Sequence, residues 1–228
     1  MIISSVIVVL SAMSHMATAQ RYYTPHFDIG GKAGITMSNM QFSPSVEQAM
    51  LMGKMAGITM RYTEEKIFGL IAELNIEQRG WKEGFEKDEG DFDYRRHFTY
   101  VQLPLLTHIY FGGKKFKGFV NLGPSVGYMI GDKITSNFDY ENPGSVSGFP
   151  MQYRSVEQMR MDVSNKFDYG IMAGAGMELI MKRKHSFLLE FRYYFGLGNV
   201  FPSSRKDVFS SSRGTSIQVS LGYMIRVK

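Results

Sequence analysis

The chain contains no cysteine, which excludes disulfides, thiolate metal sites, cysteine nucleophiles and a lipoprotein anchor. It also lacks an apolar run long enough for a transmembrane helix, since Ile2 to Leu10 is far shorter than the roughly 20 residues required. A mean hydropathy of −0.16 with 21% charged residues further argues against a bundle of membrane helices. Neither sign of charge dominates: 26 Lys and Arg against 21 Asp and Glu leave a net +5. Nucleotide-binding glycine signatures are missing too, because in Gly170 to Gly176 the spacing of G-x-G-x-x-G is broken by Leu179. What is abundant is the mixture of turn-rich β proteins: 24 Gly with 17 Phe and 13 Tyr in 228 residues.

At the amino terminus, the run Ile2 to Leu10 leads into small residues ending in Ala17-Thr18-Ala19, the h-region and cleavage pattern of a secretory signal peptide. Its usual basic start is absent, as nothing before Arg21 is charged. The expected organisation is a signal peptide over 1–19 and one domain over 20–228.

Beyond Gln20 the chain alternates apolar and polar residues in long runs. Phe68, Leu70, Ala72, Leu74 and Ile76 share one face, and Gly69, Ile71, Glu73, Asn75 and Glu77 the other, which is the period of a strand. Similar runs begin at Phe167, Phe187 and Ser216, and weaker ones cover Phe27 to Met37, Met52 to Tyr62, Phe98 to Phe111 and Phe119 to Ile130. The connections alternate long and short: Ser38 to Leu51, Thr63 to Lys66, Lys82 to His97, Gly112 to Lys117, Gly131 to Lys166, Lys182 to His185 and Gly198 to Gly214. Eight strands of bilayer-crossing length with every long loop at one end predict an eight-stranded antiparallel up-and-down transmembrane β-barrel. A soluble lipocalin-like barrel, with its faces exchanged, is the alternative, but it has no reason to sort its loops by length.

One face is polar and rich in glycine, including Gly30, Gly34, Gly170 and Gly176. An eight-stranded barrel is only wide enough for side chains, so this face is assigned to a plugged interior. Its polar network comprises Asp28, Lys32, Arg61, Glu73, Glu77, His108, Asp168, Glu178, Glu190, Arg192 and Arg226. Unpaired buried charges cost several kcal/mol each, so these groups are expected to neutralise one another. The apolar face ends in aromatic residues such as Tyr62, Phe111, Tyr128, Phe167, Phe195 and Tyr223, as interfacial girdles do.

The segments Gly30-Gly31-Lys32-Ala33-Gly34, Tyr100 to Leu106, Asn121 to Tyr128, Gly170 to Gly176 and Phe191-Arg192-Tyr193 together resemble the PorT-like outer-membrane β-barrel family of Bacteroidota. The resemblance spans the mature chain and implies a barrel in the Gram-negative outer membrane. The family's founding member takes part in the type IX secretion system, but most relatives have no assigned activity, so the resemblance implies place and fold more than task. No functional residue is carried over from the family. The ending Arg226-Val227-Lys228 departs from the terminal aromatic residue common in such barrels.

Chemistry-bearing residues outside the lumen are few. The acidic loop Glu83 to Tyr94 breaks EF-hand order at Gly90 and reads as a solvated loop, with cation binding as the sharper alternative. His97 beside Asp91 and Asp93 is the one candidate rim hydrolase centre. Lys114, Lys115, Lys117, Lys182, Arg183 and Lys184 fall in short turns that would face the periplasm, which speaks against nucleic acid as a partner. The longest loop, Gly131 to Lys166, carries Tyr140, Phe149 and Tyr153 and is expected to fold partly over the barrel mouth. The expectation is therefore a non-enzymatic barrel without a cofactor, an accessory to secretion or an envelope and surface interaction protein. Its expected partners are outer-membrane lipid and lipopolysaccharide, with secretion-machinery or periplasmic proteins. The alternative is a narrow small-solute channel.

Overall fold

The computed structural model describes residues 25–65, 67–85, 91–150, 155–204 and 206–227. The expected signal peptide, Tyr153, and Glu86, Asp88 and Glu89 of the acidic loop lie outside the described residues. The strands are β1 (His26–Ser43), β2 (Gln48–Ala49), β3 (Leu51–Thr63), β4 (Phe68–Glu83), β5 (Tyr94–Gly112), β6 (Phe116–Ser136), β7 (Phe167–Met181), β8 (His185–Gly196) and β9 (Ser211–Arg226). A single helical turn, α1 (Glu157–Arg160), lies in the long connection between β6 and β7.

Each long strand pairs antiparallel with the next, β4 pairs with β5, and β9 returns to β1, so the eight long strands close into a ring. The two-residue β2 is a bridge onto the end of β4. This is the predicted eight-stranded up-and-down barrel: within the closed ring each long strand has a partner on both sides, while above it Gly131 to Ser136 of β6 pair with β5 alone among the described residues.

The register sets the dimensions. Following partners around the ring from His26 passes Thr63, Gly69, His108, Asn121, Gly174, Arg192 and Gln218 and returns to β1 at Thr36, ten residues along. With about 3.3 Å per residue and 4.8 Å between strands, that stagger tilts the strands by about 40°. The same numbers give a backbone radius of about 8 Å, which leaves a bore the width of side chains. Close strand approach decides some inward positions. A Cβ on Gly34 would sit 2.1 Å from the Val219 carbonyl of β9, and one on Gly176 would sit 2.4 Å from the Phe119 ring.

Strand length is where the sequence reading falls short. β5 and β6 run 19 and 21 residues, against predicted ends at Phe98 and Ile130. At a 40° tilt, 19 residues rise about 48 Å, nearly twice the roughly 25 Å of a lipid-facing band. That band is clear on the outer surface, where Leu70, Leu74, Ile76, Leu103, Leu105 and Ile109 are exposed. Above it the outward positions become polar, with Arg95, His97 and Thr99 on β5 and Lys133 and Thr135 on β6. The barrel thus continues past the bilayer as a head on the long-loop side.

Candidate functional site

The interior is filled in tiers along the axis. In the tier nearest the short turns, the Arg61 guanidinium donates to Asp28 Oδ2 from Nε (3.0 Å) and Nη2 (2.9 Å), and to both oxygens of Glu178 at 3.0 and 2.7 Å. Arg226 reaches Asp28 Oδ1 from the rim at 3.3 Å, and its side chain keeps 31% exposure. Beside this tier, His108 Nδ1 lies 2.7 Å from Asn121 Oδ1, while Asn121 Nδ2 donates to Glu190 at 2.6 Å. Because the amide nitrogen is committed to Glu190, the ring Nδ1 is the donor to the amide oxygen.

The middle tier joins Lys32, Glu73, Glu190 and Arg192. Lys32 Nζ is 2.7 Å from Glu73, and Arg192 bridges Glu73 (2.8 Å) and Glu190 (2.7 Å). Asn75 adds a hydrogen bond to Glu73 at 2.9 Å.

The upper tier is built on Arg79, which donates to Asp168 at 2.9 Å and lies 3.8 Å from Glu77. Its guanidinium is sandwiched between the Tyr100 and Tyr194 rings, 4.2 and 4.4 Å from their centroids, a cation–π arrangement. Tyr194 donates its hydroxyl to Asp168 and Ser216 donates to Glu77.

Above the ions the interior becomes apolar. Trp81, fully buried, meets Phe42 edge-on at 5.5 Å and Phe201 at 5.8 Å, with Phe98 and Phe209 in the same cluster. Two connections supply its lid: Val156 and Met159 from the segment after β6, and Val200, Phe201 and Phe209 from that after β8. Burial lifts the Tyr94 phenol above its ordinary value, so it stays protonated and donates to Met159 O at 2.8 Å. Arg96 stacks over Phe201 at 5.2 Å and is anchored by Asp132 at 2.6 Å.

Of the eleven residues assigned to the lumen by alternation, ten are buried and lie in or beside these three tiers, while Arg226 is partly exposed at the rim. Arg79 is the residue the sequence reading missed. Its signal was available, since the odd positions from Gly69 onward all share the inward face. The eleven hold four Lys and Arg against six Asp and Glu, and Arg79 makes up half of that deficit.

Outside the lumen the sequence candidates fare differently. Glu83 is no solvated loop residue: it is buried at the end of β4 and accepts from Trp81 Nε1 at 2.8 Å. Asp93 is held by Lys82 and Arg95 at 3.0 and 2.8 Å. Burial acts to raise its carboxyl, but the hydrogen bonds from these two cations outweigh that and hold it below the usual carboxylate range. His97 points outward from β5, its Nε2 3.4 Å from the Met52 carbonyl, and among the described residues it has no ion pair with Asp91 or Asp93. The rim acid–base pair is therefore not assembled. No group of three or more His, Asp or Glu suited to a metal occurs among the described residues.

No curated protein matches the chain in sequence. Solved structures similar in fold include OprG of Pseudomonas aeruginosa, with 13% identity, 90% of this chain and 97% of that one covered, and a TM-score of 0.48. Neisserial surface protein A follows with 10% identity, coverage of 89% and 99%, and a TM-score of 0.45. Outer membrane protein W of E. coli has 16% identity, coverage of 89% and 99%, and a TM-score of 0.43. These are likenesses of fold and carry no activity across. The sequence model described as "Outer membrane protein beta-barrel domain" matches residues 18–202, most of the chain, and the protein belongs to that family of outer-membrane β-barrels.

Proposed function

We propose that the protein is a non-enzymatic outer-membrane barrel with a closed bore, whose working surface is the head raised above the bilayer. The observation that carries this reading is the continuous filling of the interior by three ionic tiers and an aromatic cap. The cavity beside Lys32, Glu73 and Glu190 measures about 20 Å³, space for a water molecule. A conducting path for small solutes would require these tiers to part. Planar-bilayer recording of the refolded chain is therefore expected to be silent, and unitary current steps would overturn the closed bore in favour of a narrow channel. The outward His97, which among the described residues has no acid to orient it, gives no support to a hydrolytic rim.

The more specific form of this role is an accessory to type IX-like secretion, supported by the PorT-like segments in β1 and β5 to β8. Deleting the gene is then expected to block export of that system's cargo. Normal export would restrict the protein to envelope integrity or surface interaction. Contact with lipopolysaccharide is supported by cationic side chains just above the lipid band. Lys82 is in register with Arg95, and His97 with Lys133.

A further inference from the structure

The short-turn end of the barrel carries a charge arrangement that neither the fold nor the lumen explains. The turn between β7 and β8 is Lys182-Arg183-Lys184, and that between β5 and β6 contains Lys114 and Lys115. All five side chains are exposed, and among the described residues none of them is in an ion pair. They form one arc, because Lys115 O accepts from Ile180 N at 2.8 Å and Lys184 O accepts from Arg226 N at 2.8 Å. Arg226, itself paired with Asp28, lies beside the arc on β9, and the remaining turn reads Glu64-Glu65-Lys66 in sequence.

A second observation is conformational. Lys182 and Arg183 have φ of 50° and 60°, and they are the non-glycine residues in the left-handed region among those described. They occupy the central positions of a tight turn closed by Lys184 N donating to Met181 O at 3.2 Å. Hairpin turns with both central φ positive favour Asn-Gly, which adopts them with little strain. Two long cationic side chains stand there instead, against the local preference of the backbone. Strain held at a specific place points to a function for the residues that bear it.

The level of the arc identifies the partner. Directly outward of it the lipid-facing surface ends in Met181, Phe116 and Phe187, and Tyr223 stacks on His185 with its hydroxyl 2.7 Å from Nδ1. Aromatic residues of this kind sit at headgroup depth, so the neighbouring cations reach the phosphate layer. In outer-membrane barrels the short turns face the periplasm, which makes this the inner leaflet.

We infer that the basic arc is a binding site for the phosphate of anionic phospholipid headgroups in the inner leaflet. The inference is independent of whether the bore conducts. The test uses the full chain folded in mixed micelles of phosphatidylglycerol and phosphatidylcholine, with retained lipid counted by native mass spectrometry. The wild type is expected to enrich phosphatidylglycerol over its bulk share. Each cation near an anionic surface contributes about fivefold in affinity, so the double variant Lys182→Asn/Arg183→Gly should lose enrichment by about 25-fold. Because Asn-Gly suits the turn, this variant keeps the barrel folded, and unfolding in urea checks that in the same samples. Bulk lipid ratios on the wild type, or unchanged enrichment in the folded variant, would overturn the proposal. Displacement of the lipid by millimolar inorganic phosphate would also overturn it, by assigning the site to the free ion. Loss of glutamate-rich peptide binding in the variant with lipid enrichment intact would overturn it in favour of an acidic periplasmic protein.

Discussion

Arg192 spans two carboxylates in the middle of the bore, and removing it leaves Glu73 and Glu190 with Lys32 as their one cation among the described residues. Breaking a buried ionic cluster from one side costs about 3–5 kcal/mol, because the remaining charges stay out of water. Arg192→Met is therefore expected to lower the urea midpoint of the vesicle-embedded barrel by that equivalent. Arg226→Gln, at the half-exposed rim, should cost about 1 kcal/mol or less. Equal midpoints for the two variants would contradict the tiered description. Asp93 tests the head in another way. Its carboxyl is held low in the folded state, so its pin to Lys82 and Arg95 is fully present above the ordinary Asp value of about 3.9. The pin is lost only as pH falls through the lower folded value. Amide-exchange protection at residues 91–95, taken against the intrinsic rate at each pH, should accordingly begin to fall below about pH 4, and Asp93→Asn should show the lower protection already at neutral pH. At this scale the sequence was informative about direction and silent about partners. Alternation assigned Glu178 and Arg61 to the same interior, but their meeting depends on the ten-residue stagger, which closes the ring across 117 positions of chain.

Strands and turns obey different local rules above, within and below the bilayer, and the legibility of each element follows from that. Within the lipid, outward positions must be apolar and inward ones polar, so Phe68 to Glu77 could be read directly. In the head, water replaces lipid and the outward requirement disappears. Ser211 to Thr215 then reads as a loop, although it pairs with Asn39 to Ser43. Tyr94, Arg96 and Phe98 still alternate inward, but Arg95 and His97 between them erase the contrast. The turn at Lys182 and Arg183 is the opposite case, where local preference points away from the observed residues. An L-residue in the left-handed region costs about 1–2 kcal/mol. Lys182→Asn/Arg183→Gly should therefore stabilise the β7–β8 hairpin and raise the unfolding midpoint of the barrel by an amount of that order. A lower midpoint would mean that the two cations stabilise the turn through contacts of their own.

At the level of the whole molecule, the proposed closed bore would have two barriers in series, and they rest on different physics. The ionic tiers fill the part inside the membrane with side chains held by charge, whereas the aromatic cap fills the head by apolar packing and is completed by the connections after β6 and β8. Neither barrier shares a residue with the other, except that Tyr100 packs on both Arg79 and Phe98. Removing one should leave the other standing. Trp81→Ala with Phe201→Ala opens a void in the cap and is expected to cost about 3–5 kcal/mol per large ring, yet bilayers should stay silent because the ions below remain packed. Replacing Lys32, Glu73, Glu190 and Arg192 together by serine removes charges of both signs, so no unpaired ion is left in that tier. This variant should also stay silent, since Arg79 and the cap lie above the emptied tier. Only the combination that also replaces Arg79, Glu77 and Asp168 of the upper tier and Asp28, Arg61 and Glu178 of the lowest tier by serine, together with the two cap changes, is expected to conduct, with folding of each variant checked by heat-modifiable migration on gels. Conductance from the cap variant alone would show that the tiers part readily, and that the head is a gate over a pore.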